Sequence, residues 1–449
     1  MYQYHTLDNG IRIVFRQTDS IVTHAGVYIG VGSRHEQGSE EGIAHFIEHS
    51  IFKGTERRRS WHIRNRIDGV GGELDAFTTK EETCVYASAL SQHLDRCLEL
   101  FADILFHSTF PAREIEREKD VVIEEINLYR DSPAELIFDD FEERYFGTHP
   151  LAHNILGSKR NVRHFTPEQL KAFMASRYTP DRMVVSVVGN VEFKKLIHLC
   201  QKHFESQGNA EQVNVESQSS TLNSQLSILN SQFNHTIHKH THQVHMLVGG
   251  AAPTLYDSDK TAFTLLNNII GGPAMNSRLN VAVREREGFC YSIESQYVPF
   301  TDAGLFYIYA GVDSNASDRS TELILSELRR LRDIPLTPRQ LRAAQEQLIG
   351  QMAINNDSGL NEMQSIGKAC LNFEHVDTLD EMNRDILALT PADLQEAARH
   401  YLHPDNLSFL YYVEYPEFVI SLKDIISPRI TRITSIAIFT CNTRDTWRL

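Results

Sequence analysis

The sequence lacks an apolar run near the roughly 18 residues that would span a bilayer, so no membrane crossing is expected. Cysteine is sparse: Cys84, Cys97, Cys200, Cys290, Cys370 and Cys441 lie far apart, with no Cys-x-x-Cys pair. That spacing argues against a disulfide framework and a thiolate zinc site, and it points to a reducing, cytoplasmic compartment. Basic charge is also in deficit. Lys and Arg total 44 against 59 Asp and Glu, a formal charge of −15, which excludes a nucleic-acid-binding body. The segment Met1 to Asn9 is polar, and no secretory leader is expected. Gly69-Val70-Gly71-Gly72 has no following Lys-Ser/Thr and is not a phosphate loop. What remains, 41% hydrophobic and 23% charged over 449 residues, is ordinary globular material. At roughly 150 residues per domain it corresponds to two to four domains.

Strand and helix patterns are mixed without strict alternation. Asn9-Gly10 marks a turn, after which Ile11, Ile13 and Phe15 alternate with polar residues as in a half-buried strand. Strand-like stretches also cover Ala25 to Val31, Thr83 to Leu90 and Met183 to Val188. Helical periodicity covers Glu41 to Phe52, Asp95 to Leu105 and Glu114 to Tyr129. From Ser206 to Asn234, 17 of 29 residues are Ser, Asn or Gln, and Leu-Asn-Ser-Gln occurs at both Leu222 and Leu229, as expected of a linker. Beyond it the strands and helices resume: Val244 to Val248, Lys260 to Ile270, Tyr291 to Tyr297 and Gly304 to Ala310. The expected fold class is α+β: two related domains of about 200 residues, each a mixed, largely antiparallel sheet with packed helices. The expected divisions are 1–205, a linker over 206–240, a second domain over 241–418 and an unassigned tail over 419–449.

The chemistry concentrates at His45-Phe46-Ile47-Glu48-His49. On a helix, histidines four apart point from one face and can share a metal ion. Glu48 stands at the edge of that face, placed to take a proton from a water on the metal. A surface helix that happens to hold these residues is the alternative. Against it, Ile43, Ala44, Phe46, Ile47, Ile51 and Phe52 make the helix apolar nearly all round, and buried ionisable groups are costly unless paired or metal-bound. Catalytic zinc needs a third protein ligand. In the helix from Glu114, Glu118 and Glu125 share a face with Val122 and Tyr129 and are expected to look inward, whereas Glu116 and Glu124 face solvent. Glu125 is the expected ligand and Glu118 the partner of a ligating histidine.

With Glu125 lying 76 residues after His49, this inverted motif resembles the family of pitrilysin, insulin-degrading enzyme and the mitochondrial processing peptidase. Gly42-Ile43-Ala44 and Phe52-Lys53-Gly54-Thr55 around the motif agree with it. So does Leu74-Asp75-Ala76-Phe77-Thr78-Thr79-Lys80-Glu81-Glu82-Thr83, which is similar to the segment beside the family's zinc. The resemblance implies that an edge strand there, including Ala76, Phe77, Thr78 and Thr79, binds substrate backbone by strand addition. Arg284-Glu285-Arg286-Glu287-Gly288-Phe289-Cys290-Tyr291 resembles the family's Arg-to-Tyr pair, accompanied by Asn276-Ser277-Arg278-Leu279 and Gly304-Leu305-Phe306. Such a pair reaches the zinc site from the far half of a clamshell and stabilises an oxyanion.

The resemblance implies a zinc endopeptidase acting on short or unfolded polypeptides, one Zn²⁺ per chain, with Glu48 as general base. A chain of this length would be half a clamshell. Carrying both the zinc motif and the pair, it is expected to form a homodimer in which Arg284 and Tyr291 complete the partner's site; a heterodimer stays open. Also open are a non-catalytic or partner-requiring subunit and a dedicated processing protease. His235, His238, His240, His242 and His245 alternate on a strand-like segment without a nearby carboxylate and are read as a polar strand start. Cys84 is read as a small buried hydrophobe.

Overall fold

The structure is a computed structural model, and it describes residues 1–207, 232–373 and 375–415. The stretch expected to be linker is therefore described only at its ends, and the tail from 419 lies outside the described residues. Six strands form the first sheet: β1 Gln3–Thr6, β2 Arg12–Gln17, β3 Val22–Ile29, β4 Glu73–Thr78, β5 Thr83–Leu90 and β6 Met183–Gly189. Their order is β1-β2-β6-β3-β5-β4. The second sheet uses β7 Asn234–Lys239, β8 Val244–Ala251, β9 Cys290–Pro299, β10 Gly304–Val312 and β11 Leu407–Glu414, in the order β7-β11-β8-β10-β9. With β1 set aside the two orders superimpose strand for strand. Even the single parallel neighbour recurs, β2 with β6 and β7 with β11. The two domains are thus related, α+β and largely antiparallel, as expected.

Two features differ from expectation. β7 lies inside the 206–240 stretch, because a sheet-edge strand with an exposed face carries the polar residues that also mark linkers. β2 is buried on both faces rather than half-buried. Ile13 and Phe15 enter the main core, and Val14 on the opposite side meets Met363, Ile366 and Cys370. Those three belong to the helix Gly359–Asn372 of the second half, which lies over the first sheet.

The first half contributes α1 Ile43–Ser50, α2 Ser60–Asp68, α3 Leu94–Phe106, α4 Ala112–Arg130 and α5 Pro133–Phe146. Of these, α5 reciprocates the exchange. Its Ile137, Phe141, Tyr145 and Phe146 pack on Leu247, Tyr307 and Tyr412 of the second sheet. Each sheet therefore has one face covered by a helix from the other half. At roughly 1.5–3 kcal/mol per fully buried large apolar side chain, Phe141 and Phe146 alone bind the halves firmly.

Candidate metal centre

The centre begins with an unusual helix start. Gly42 caps α1 in the left-handed region, φ 91°, where a Cβ would come within 2.8 Å of the Gly157 backbone. The first-turn amides are satisfied from a distance: the buried Glu36 carboxylate accepts from Gly42 N at 2.8 Å and Ala44 N at 2.9 Å. Burial pushes Glu36 up to about 8 against those two hydrogen bonds. With its start fixed, α1 buries Ile43, Ala44, Phe46 and Ile47 in the core and turns His45 and His49 to one side. Their rings lie 4.7 Å apart, centroid to centroid.

The helix α4 supplies the rest. Glu125 Oε2 sits 3.7 Å from His45 Nε2 and 3.4 Å from His49 Nε2, buried and without a hydrogen bond to either. Ligand atoms of His45, His49 and Glu125 all lie within 4.8 Å of one another. An orphaned carboxylate oxygen between two imidazole nitrogens is unfavourable unless a cation joins them, and two nitrogens with one oxygen suit zinc with an open position. Glu118 accepts from the other face of His49, Oε1 to Nδ1 at 3.0 Å, and its second oxygen meets Lys53 Nζ at 2.5 Å. That fixes which ring nitrogen of His49 faces Glu125. We expect Glu118→Gln to weaken zinc affinity about 10- to 100-fold in competition with a chromophoric chelator.

Electrostatics separate the two histidines. Burial, reinforced by His49, pushes His45 down to about 4 although Glu125 pulls upward, so its ring is neutral at pH 7. Burial also opposes charge on His49, but the Glu118 and Glu125 carboxylates outweigh it and lift that ring to about 9. Burial raises Glu48, and Thr78 and His49 draw it partly back. A raised carboxylate pKa suits a general base.

The expected substrate segment adjoins this cluster. Ala76, Phe77 and Thr78 lie on β4, which among the described residues pairs only with β5 and leaves one edge free. Leu74 and Ala76 pack toward the main core, and Phe77 packs on Tyr28 and Tyr86 across the sheet. Thr79 lies past the strand end. Its N–H donates to Glu82 O at 2.8 Å and its carbonyl accepts from Ser33 N at 3.2 Å, so its backbone groups are already paired. On α4, Tyr129 is 39% exposed, more outward than its spacing from Glu125 suggested, because it lies in the last turn.

Comparison with known proteins decides the family. A profile described as Insulinase (Peptidase family M16) matches residues 12–159, and one described as Peptidase M16 inactive domain matches 164–348. The uncharacterized zinc protease YmxG of Bacillus subtilis is 34% identical over 411 residues, 90% of this chain and 97% of its own length. The chain belongs to peptidase family M16. An uncharacterized zinc protease of Mycobacterium leprae is 32% identical over 399 residues, 89% of this chain and 88% of its own length. Among solved structures, a protease from Helicobacter pylori superimposes with a TM-score of 0.83 at 23% identity, covering 92% of this chain and 99% of that one.

The M16 assignment fits a feature of the second domain. Its helix Lys260–Gly271 follows β8 as α1 follows β3, yet it reads Lys-Thr-Ala-Phe-Thr-Leu-Leu-Asn-Asn-Ile-Ile-Gly, without a histidine or a carboxylate. The His45, His49 and Glu125 cluster therefore has no counterpart on that helix. Arg284 and Tyr291 lie in the second domain, with the guanidinium 5.7 Å from the phenol ring centroid. Tyr291 is 84% exposed. Among the described residues, neither makes an ion pair or a hydrogen bond to α1, α4 or β4. Glu36 and Lys53 hold the centre without having stood out in the sequence; the only local signal was Lys53 in its Phe-Lys-Gly-Thr setting. No helix among the described residues is long and apolar enough to cross a membrane.

Proposed function

We propose that the protein is a cytoplasmic zinc endopeptidase that hydrolyses short or unfolded polypeptides. The observation that carries this reading is the orphaned Glu125 oxygen facing both histidines while Glu48, not engaged with it, stands on the adjoining edge of α1 beside Thr78. His45, His49 and Glu125 would hold one Zn²⁺ per chain, with Glu118 and Lys53 fixing the His49 ring. Bound there, zinc supplies a Lewis acid that acidifies water and polarises the scissile carbonyl. Glu48 takes the proton of the attacking water and returns it to the leaving amine. The free edge of β4 at Ala76, Phe77 and Thr78 pairs with the substrate backbone, with Thr79 closing the strand.

Oxyanion stabilisation falls to Arg284 and Tyr291 of a second copy, whose donors reach the carbonyl as charge develops. The exposure of Tyr291, and the lack among the described residues of a hydrogen bond or ion pair from the pair to α1, support a two-fold homodimer with shared sites. The test is cleavage of an unstructured peptide of about 25 residues by chain loaded with one equivalent of zinc. Cleavage abolished by a chelator and restored by zinc is the expected result. Zinc binding without cleavage would favour a non-catalytic or partner-requiring subunit.

A further inference from the structure

The turn joining β4 to β5 carries Lys80, Glu81 and Glu82 in succession, and each is committed to a different part of the molecule. Lys80 is 7% exposed; its Nζ donates to the carbonyls of Leu151 at 2.9 Å and His153 at 3.0 Å and pairs with Glu142 at 2.8 Å. Glu81 accepts from Thr301 Oγ1 at 2.6 Å and from Thr301 N at 3.2 Å, and it pairs with Arg34 at 2.5 Å. Arg34 in turn holds the neighbouring Asp302 through both terminal nitrogens, at 2.9 and 2.6 Å. Glu82, 3% exposed, pairs with Lys368 at 2.8 Å. Thr301 and Asp302 form the β9–β10 turn and Lys368 lies on Gly359–Asn372, so two of the three side chains seize the second domain.

The backbone of the turn is pinned as well. Ser33 N donates to Thr79 O at 3.2 Å and Arg34 N to Lys80 O at 2.9 Å. These contacts need Gly32 beneath them, since a Cβ there would lie 2.3 Å from Thr79 O. The Arg34 and Glu81 side chains are partly buried, 13% and 18% exposed, and Lys368 is 53% exposed. Ion pairs of this kind recover little net stability, and fixing register is their best-attested use. The element that needs register here is β4. It is six residues long, has one partner strand among the described residues, and ends at Thr78, beside Glu48. A site of this kind tolerates displacements of only about 0.5 Å.

We propose that Glu81, held by Thr301 of the second domain and by Arg34, is a positioning residue that registers the β4 edge for substrate pairing. The proposal rests on the reading of β4 as the substrate edge. It makes peptide binding in the first domain depend on how the second domain is seated.

The test uses the full zinc-loaded chain with Glu81→Gln, Thr301→Val and the double variant, and the same three changes in a Glu48→Gln background. Substrate is an unstructured peptide of about 25 residues. Each single variant is expected to raise KM, and the dissociation constant of the Glu48→Gln form measured by fluorescence anisotropy, about tenfold. Turnover number should stay within about twofold and zinc content should not change, with the double variant no worse than either single. A fall in turnover number at constant KM would show loss of folded protein instead and overturn the proposal, as would unchanged KM or effects that multiply in the double variant. Peptide bound but not cleaved by the wild-type chain would refute the peptidase reading alone, because the binding arm still reads the clamp. No peptide binding at all would overturn both.

Discussion

Replacing Glu48 by Gln is expected to lower the turnover number by about a hundred- to ten-thousandfold, the usual contribution of a positioned general base. Zinc content should be unchanged. The reason lies in how the three site carboxylates divide. Glu125 faces both His Nε2 atoms, and Glu118 is taken up by His49 Nδ1 and Lys53. Among the described residues Glu48 makes no ion pair; it stands beside Thr78, with its pKa raised by burial and drawn partly back by Thr78 and His49. Gln preserves its volume and one acceptor oxygen, but it exchanges the other for an NH2 donor and so removes the charge and the capacity to take a proton. The control is Glu125→Gln, which should lose metal and activity together. Zinc stoichiometry and steady-state turnover on the same preparations separate the two. Full activity in the Glu48→Gln chain would end the assignment of Glu48 as base.

The parts of this centre that could be read from sequence are those governed by helical spacing. His45 and His49 four apart, Glu118 and Glu125 seven apart, and an α1 that is apolar nearly all round determine which side chains can meet. What periodicity cannot carry is contact between distant segments. Glu36 caps α1 from a loop six residues before Gly42, and no helical rule links a carboxylate there to amides at Gly42 and Ala44. Lys53 reaches Glu118 across 65 residues of chain. The domain count was legible because a Ser/Asn/Gln-rich stretch interrupts the pattern. The exchange of α5 for Gly359–Asn372 was not, since an amphipathic helix does not declare which sheet it will cover. In sequence β2 reads as half-buried although Val14 breaks the alternation, because what covers its second face, Met363 and Ile366, is remote in the chain.

Mixing two inactive variants should restore activity if the site is shared between copies. On the proposed reading, Arg284→Ala removes a donor to the developing oxyanion but leaves Glu48 and the metal ligands intact, whereas Glu48→Gln does the reverse. In a mixed dimer, one site joins the first domain of the Glu48→Gln copy to the second domain of the Arg284→Ala copy and carries both defects. The other site joins an intact Glu48 to an intact Arg284. Random reassortment of an equal mixture gives mixed dimers half the time, each with one sound site of two, so about a quarter of wild-type activity is expected. The structure motivates the experiment because the pair lies on a domain whose α1-equivalent helix, Lys260–Gly271, has no metal ligands, and Tyr291 is exposed to meet another surface. Activity should appear at the rate of subunit exchange and scale with the fraction of mixed dimer. A mixture that stays inactive, while native mass spectrometry shows mixed dimers present, would place Arg284 outside the partner's site and leave oxyanion stabilisation to residues of the first domain.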